Sequence, residues 1–125
     1  MGDFVLDIDG VSLEGQWTEG NAETRAAIEA TLPIEGAANR WGDELYLGIE
    51  VSASPTDTTT IVEPGDVAYW PAGPALCLFW GPTPASTDER PRAASPVGVI
   101  GRVTGLDALS GLDGGATLSM RLLDP

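Results

Sequence analysis

The chain of 125 residues has no histidine, no lysine and a single cysteine, Cys77. Without His there is no Ser-His-Asp triad and no His-ligated zinc centre. Without Lys there is no Schiff-base chemistry, and one Cys makes no internal disulfide. Long apolar runs are missing as well. No stretch approaches the roughly 20 residues that a membrane-crossing helix needs, and Met1-Gly2-Asp3-Phe4-Val5 lacks the basic start and apolar run of a secretory leader. The expectation is a cytoplasmic protein without membrane attachment. Positive charge is also scarce. Arg25, Arg40, Arg90, Arg92, Arg102 and Arg121 stand against nineteen acidic residues, a net charge of -13. No basic face can displace counterions from a phosphate backbone, so nucleic acid is not an expected partner.

Such acidity destabilises a compact state by self-repulsion in dilute buffer. At molar salt the Debye length falls to about 3 Å and the repulsion is screened. An acidic chain that uses only Arg as its cation therefore reads as a halophilic protein. What the chain does have is glycine and proline, 16 and 10 residues, with 42% apolar residues. That is too much turn-former for a helix bundle and enough apolar mass for one folded domain over residues 1–125. The fold class is all-β.

Phe4, Leu6 and Ile8 alternate with Val5 and Asp7. Asp9-Gly10 then supplies a two-residue turn before Val11, Leu13 and Trp17, so residues 4–17 predict a hairpin. From Asn21 to Leu32 the period changes to that of a helix, with Asn21 as cap, Thr24, Ala27, Ile28 and Thr31 on one face, and Pro33 as stop. A shorter strand and a Trp41-Gly42 turn precede Leu45, Leu47, Ile49 and Val51, which alternate with Glu44, Tyr46, Gly48 and Glu50 on a wet face. Residues 52–60 read as a polar loop. Asp66–Trp70 and Ala75–Trp80 read as two strands around a proline-stiffened turn. Residues 82–96, with four prolines and no period, read as a long loop. Val97–Val103, a helical turn near Asp107–Leu112 and a final strand through Leu118, Met120 and Leu122 complete about eight strands. With one main α-helix to cover a sheet, closure into a compact eight-stranded barrel buries both core and strand edges.

Asn39-Arg40-Trp41-Gly42-Asp43-Glu44-Leu45-Tyr46, Gly65–Pro71 (GDVAYWP) and Gly73–Pro84 (GPALCLFWGPTP) carry, in order, the patterns N-x-W-G-[DE]-E-[IL]-Y, G-D-V-x-Y-W-P-x-G-x-A-L-C-L-F and G-x-T-P-x-S. Over Val11 to Met120 the chain resembles a family of small prokaryotic cyclophilin-like proteins. The resemblance implies an eight-stranded cyclophilin-like barrel and, since members are mostly of unknown function, no reaction. Val99–Asp107 (VIGRVTGLD) is similar to a strand and turn of true cyclophilins. The catalytic pattern of those enzymes is absent: Val97 stands where they place a His, and no F-H-R-V-I segment occurs.

The candidate site is aromatic. Trp41, Tyr69, Trp70, Phe79 and Trp80 are five of the eight rings, and neighbouring strand positions face opposite sides, so one of Tyr69/Trp70 and one of Phe79/Trp80 point away from the core. Arg40, beside the Trp41-Gly42 turn, is the candidate donor at the groove's rim; its other role is an ion pair with Asp43 or Glu44. Three readings follow: a groove for a small molecule or an extended peptide, a weak prolyl isomerase using Arg40, or an interaction module that offers the rings to another chain. Cys77, in an apolar strand with no basic neighbour, reads as an inert buried hydrophobe. Asp43 and Glu44 read as a solvated turn, and Asp88, Glu89, Arg90 and Arg92 as loop charges that pair locally. No metal or cofactor is called for.

Overall fold

The computed structural model describes residues 2–123. Its elements are β1 (Phe4–Ile8), β2 (Val11–Trp17), α1 (Ala22–Glu29), β3 (Ile34–Arg40), β4 (Glu44–Gly48), β5 (Thr59–Ile61), β6 (Asp66–Trp70), β7 (Ala75–Phe79), β8 (Arg92–Val103), a 3-10 turn (Leu106–Leu109) and β9 (Ala116–Leu122). The β1–β2 hairpin forms on Asp9-Gly10, both at positive φ (49° and 87°), the backbone that a two-residue turn matching strand twist demands.

The strands run antiparallel in the order β2-β1-β9-β3-β4-β7-β6-β8, and β2 pairs back onto β8 through Gly15, Gln16 and Trp17. The eight expected staves thus close into a ring. β5 is a ninth strand, hung on β8 outside that ring. It corrects the reading of residues 52–60 as loop throughout: β-branched Thr59, Thr60 and Ile61 suit a strand once a partner is supplied.

Side-chain alternation fills the ring. Leu6, Leu13, Leu45, Leu47, Val67, Tyr69, Leu76, Leu78, Ile100, Leu118 and Met120 converge on one core, which Ile28 of α1 joins. The Tyr69 hydroxyl enters with this set and is satisfied there. It donates to the Val51 carbonyl (2.6 Å) and accepts from the Ala53 amide (3.2 Å). Asn21 does not cap α1 as expected. It stands at φ 52° and its side chain makes no capping hydrogen bond; its amide instead donates to the carbonyls of Asp57 (2.8 Å) and Val99 (3.1 Å) while accepting from the Asp57 N–H (3.0 Å). It pins the loop before β5 to the barrel.

β8 shapes the functional surface. Its second half, Gly98–Val103, is a stave of the ring, paired with β6 and β2. Its first half leaves the ring and pairs only with β5. Residues 92–96 are therefore strand, a correction to the loop read over 82–96. Pro96, which has no N–H to give, is tolerated because this half is a strand edge. This arm lies over the outer face of β6 and β7, where Ala93, Val97 and Val62 cover Ala68, Cys77 and Phe79 in a second, smaller apolar cluster. The remaining loop is tied by its own hydroxyls. Thr83 donates to the Arg92 carbonyl (2.5 Å), Ser86 donates to the Arg90 carbonyl (2.7 Å), and the Thr83 N–H donates to Ser86 Oγ (3.0 Å). Arg90 pairs with Asp88 at 2.7 Å.

Candidate functional site

The outer face of three adjacent staves carries alternate residues: Glu44 and Tyr46 from β4, Cys77 and Phe79 from β7, Ala68 and Trp70 from β6. The arm covers part of this face and stops short of the rest. Between them lies a cavity of ≈ 240 Å³ lined by Trp41, Glu44, Tyr46, Trp70, Ala93, Ala94 and Val97. The Tyr46 and Trp70 rings meet edge to face, 6.3 Å between centroids at 74°, a favourable quadrupolar arrangement. Trp70 is held from the arm as well, its indole N–H donating to Ser95 Oγ at 2.6 Å.

Trp41 reaches the cavity from the β3–β4 turn. Gly42 there has φ 63°, and a Cβ on it would run into Thr83 and Pro84, so only glycine fits both the conformation and the contact. The turn is docked by Asp43 N–H on the Pro82 carbonyl and Trp80 N–H on the Asp43 carbonyl, both 2.9 Å. The Gly81–Ser86 pattern thus serves as a seat for the tryptophan turn.

At the floor sits Glu44, 5% exposed. Burial raises its carboxyl to about 7, and a hydrogen bond with the Cys77 thiol offsets part of the rise. Among the described residues no Arg pairs with it, and no other charged side chain lines the cavity. Its place corrects the solvated-turn reading of Asp43 and Glu44: Asp43 is on the turn, while the arm has roofed the face on which Glu44 lies. The wet face expected for β4 is dry at Glu44 and half-buried at Tyr46 for the same reason. Cys77 is buried, its thiol pushed well above the usual range by burial and by the Glu44 charge. No group of three or more His, Cys, Asp or Glu is placed among the described residues to hold a metal ion.

The expected aromatic set divides. Trp41 and Trp70 line the cavity. Tyr69 points into the barrel, and Phe79 faces outward but is sealed beneath the arm in the smaller cluster. Trp80 packs against the main core, and the Arg40 guanidinium lies 5.3 Å over its ring. Arg40 also donates to the carbonyls of Gly42 (2.7 Å) and Leu112 (2.6 Å) and to Asp43 Oδ1 (3.0 Å). It fastens one end of the barrel and does not line the cavity. Tyr46 and Glu44, with Ala93, Ala94 and Val97 of the arm, are the lining residues that the sequence reading did not single out. The signal available was a Tyr sharing a strand face with a carboxylate one residue removed, three positions after a Trp.

The closed ring of eight antiparallel strands with one main helix is a cyclophilin-like fold. The family model described as Cyclophilin-like matches residues 4–121, and the chain belongs to that family. The solution structure of a hypothetical protein from Archaeoglobus fulgidus is similar to it, with 37% identity, a TM-score of 0.79, and coverage of 98% of this chain and 95% of the other. No curated protein matches.

Proposed function

We propose that this cyclophilin-like domain binds a small molecule, or a side chain of an extended peptide, in the cleft between the β4–β6 face and the β8 arm. The observation that carries the reading is the cavity itself: three aromatic side chains and three apolar ones converge around one buried polar group, the composition that ligand sites share. A prolyl isomerase would need a guanidinium at the reacting amide. Arg40, committed to two carbonyls, Asp43 and Trp80, is held elsewhere.

The test is a thermal-shift series in 2 M KCl with aromatic fragments of each charge, benzyl alcohol, indole, benzylammonium and benzoate, beside a capped uncharged Phe-Pro peptide. Binding to the native state raises the melting temperature. The expected result is a dose-dependent rise for at least one probe with wild-type protein and none with Trp70→Ala. A rise that survives Trp70→Ala, or none with any probe, overturns the reading.

A further inference from the structure

The cavity holds a carboxyl group that its apolar walls do not answer. Glu44 comes from β4 beside Tyr46; the groups facing it are the Cys77 thiol from β7, the Tyr46 and Trp70 rings from β4 and β6, Trp41 from the turn, and Ala93, Ala94 and Val97 from the arm. None is cationic. Asp43, the nearest acid in sequence, is engaged by Arg40 outside the cavity. A carboxyl so enclosed is costly when ionised unless something positive accompanies it. Aromatic faces supply what a carboxylate alone does not, because their quadrupoles attract an organic cation as well as its apolar body.

We propose that the cleft is selective for small organic ammonium ions, with Glu44 as counter-ion and Trp41, Tyr46 and Trp70 as the enclosing wall. This deepens the binding function proposed above and rests on it. Size narrows the occupant further. Drug-sized ligands use clefts of about 300–1,000 Å³, so ≈ 240 Å³ suits a free amine of one ring or a few carbons rather than a chain segment. Charge supports the same choice, since an anion would meet Glu44 inside and a net charge of -13 outside.

Occupancy also has a proton signature. A cation next to Glu44 favours its ionised form, so binding releases a proton near neutral pH and tightens as pH rises through about 7.

The experiment is isothermal titration at constant ionic strength with three probes of one shape: benzylammonium, benzyl alcohol and benzoate. It uses wild-type protein, Glu44→Gln, and Glu19→Gln as a control that removes one exposed carboxylate elsewhere. The expected result is benzylammonium binding at least tenfold tighter than benzyl alcohol, with no benzoate binding. That preference should be lost in Glu44→Gln and kept in Glu19→Gln, and titration at pH 7 in two buffers should show proton release. Equal affinity for the amine and the alcohol, with both lost in Trp70→Ala, overturns the cation inference and leaves the binding function standing. Amine binding unchanged by Glu44→Gln marks non-specific attraction to an acidic surface and also overturns it. Binding of none of the three overturns the inference and counts against the cleft as a ligand site. A lysine-bearing peptide that binds more tightly than free benzylammonium overturns the assignment to a free amine.

Discussion

The two faces of the β4–β7–β6 sheet are built from the same 15 residues' worth of strand and differ in what covers them. The inner face meets the five other staves of a closed ring. Its side chains fill the space, and its one hydroxyl, on Tyr69, has two backbone partners. The outer face meets only the arm of β8, which seals Ala68, Cys77 and Phe79 but leaves Glu44, Tyr46 and Trp70 beside open volume. Complete coverage makes a core and incomplete coverage makes a site, from strands of one alternating pattern.

Three measurements test how deep that difference goes. The largest effect is expected from Leu78→Ala on the inner face, which should cost about 3 kcal/mol in urea unfolding because a closed barrel cannot collapse around the void. Trp70→Ala, on the half-covered face, should cost on the order of 1 kcal/mol. Equal losses would make both faces core.

Next comes the pH dependence of the outer face. Glu44 has an ordinary value of 4.5 and about 7 in the fold. Between these the native state keeps a proton that the unfolded chain has lost, so stability is greatest below about 4.5 from this group and declines as pH rises through 7. The size is on the order of 2 kcal/mol. The difference in unfolding free energy between wild type and Glu44→Gln isolates this contribution: the variant should gain on the wild type between pH 5 and 8. A constant difference would show Glu44 to be solvated in the fold.

The smallest effect on the comparison is that of salt. We propose that the acidic coat is an adaptation to high salt. The melting temperature should then rise with KCl to molar concentration, while the gap between wild type and Leu78→Ala stays nearly constant, since apolar packing carries no charge to screen. A flat or falling melting curve against KCl removes the halophilic reading.

Much of the barrel was legible because its determinants are local. Asp9-Gly10 declares its hairpin, and the alternation of Leu45 and Leu47 with Glu44 and Tyr46 declares which side of β4 is core. Of the cavity lining, only the tryptophans were legible. Trp41 stands out as a large ring on a turn and Trp70 as one of a neighbouring pair of rings of which one must face outward, and both line the cavity. Glu44 did not stand out, because alternation says only that it faces away from the barrel. Whether that means water depends on residues 92–96, about fifty positions later and reading as loop, returning to cover it. Arg40 was ambiguous for a similar reason: its carbonyl partner at Leu112 is distant in sequence and invisible to pattern.

Ring closure also bears on how the protein behaves in a crowded solution. Strands with open edges act as templates on which further chains add, the first step towards fibres. Here each of the eight staves has a neighbour on both sides, and β5, the strand outside the ring, offers an edge of three residues. The arm that β5 pairs with includes Pro96, which interrupts any ladder of donors along its other side. Among the described residues, the place where the sheet departs from closure, which also makes the cleft, is thus short and broken enough to resist templated aggregation.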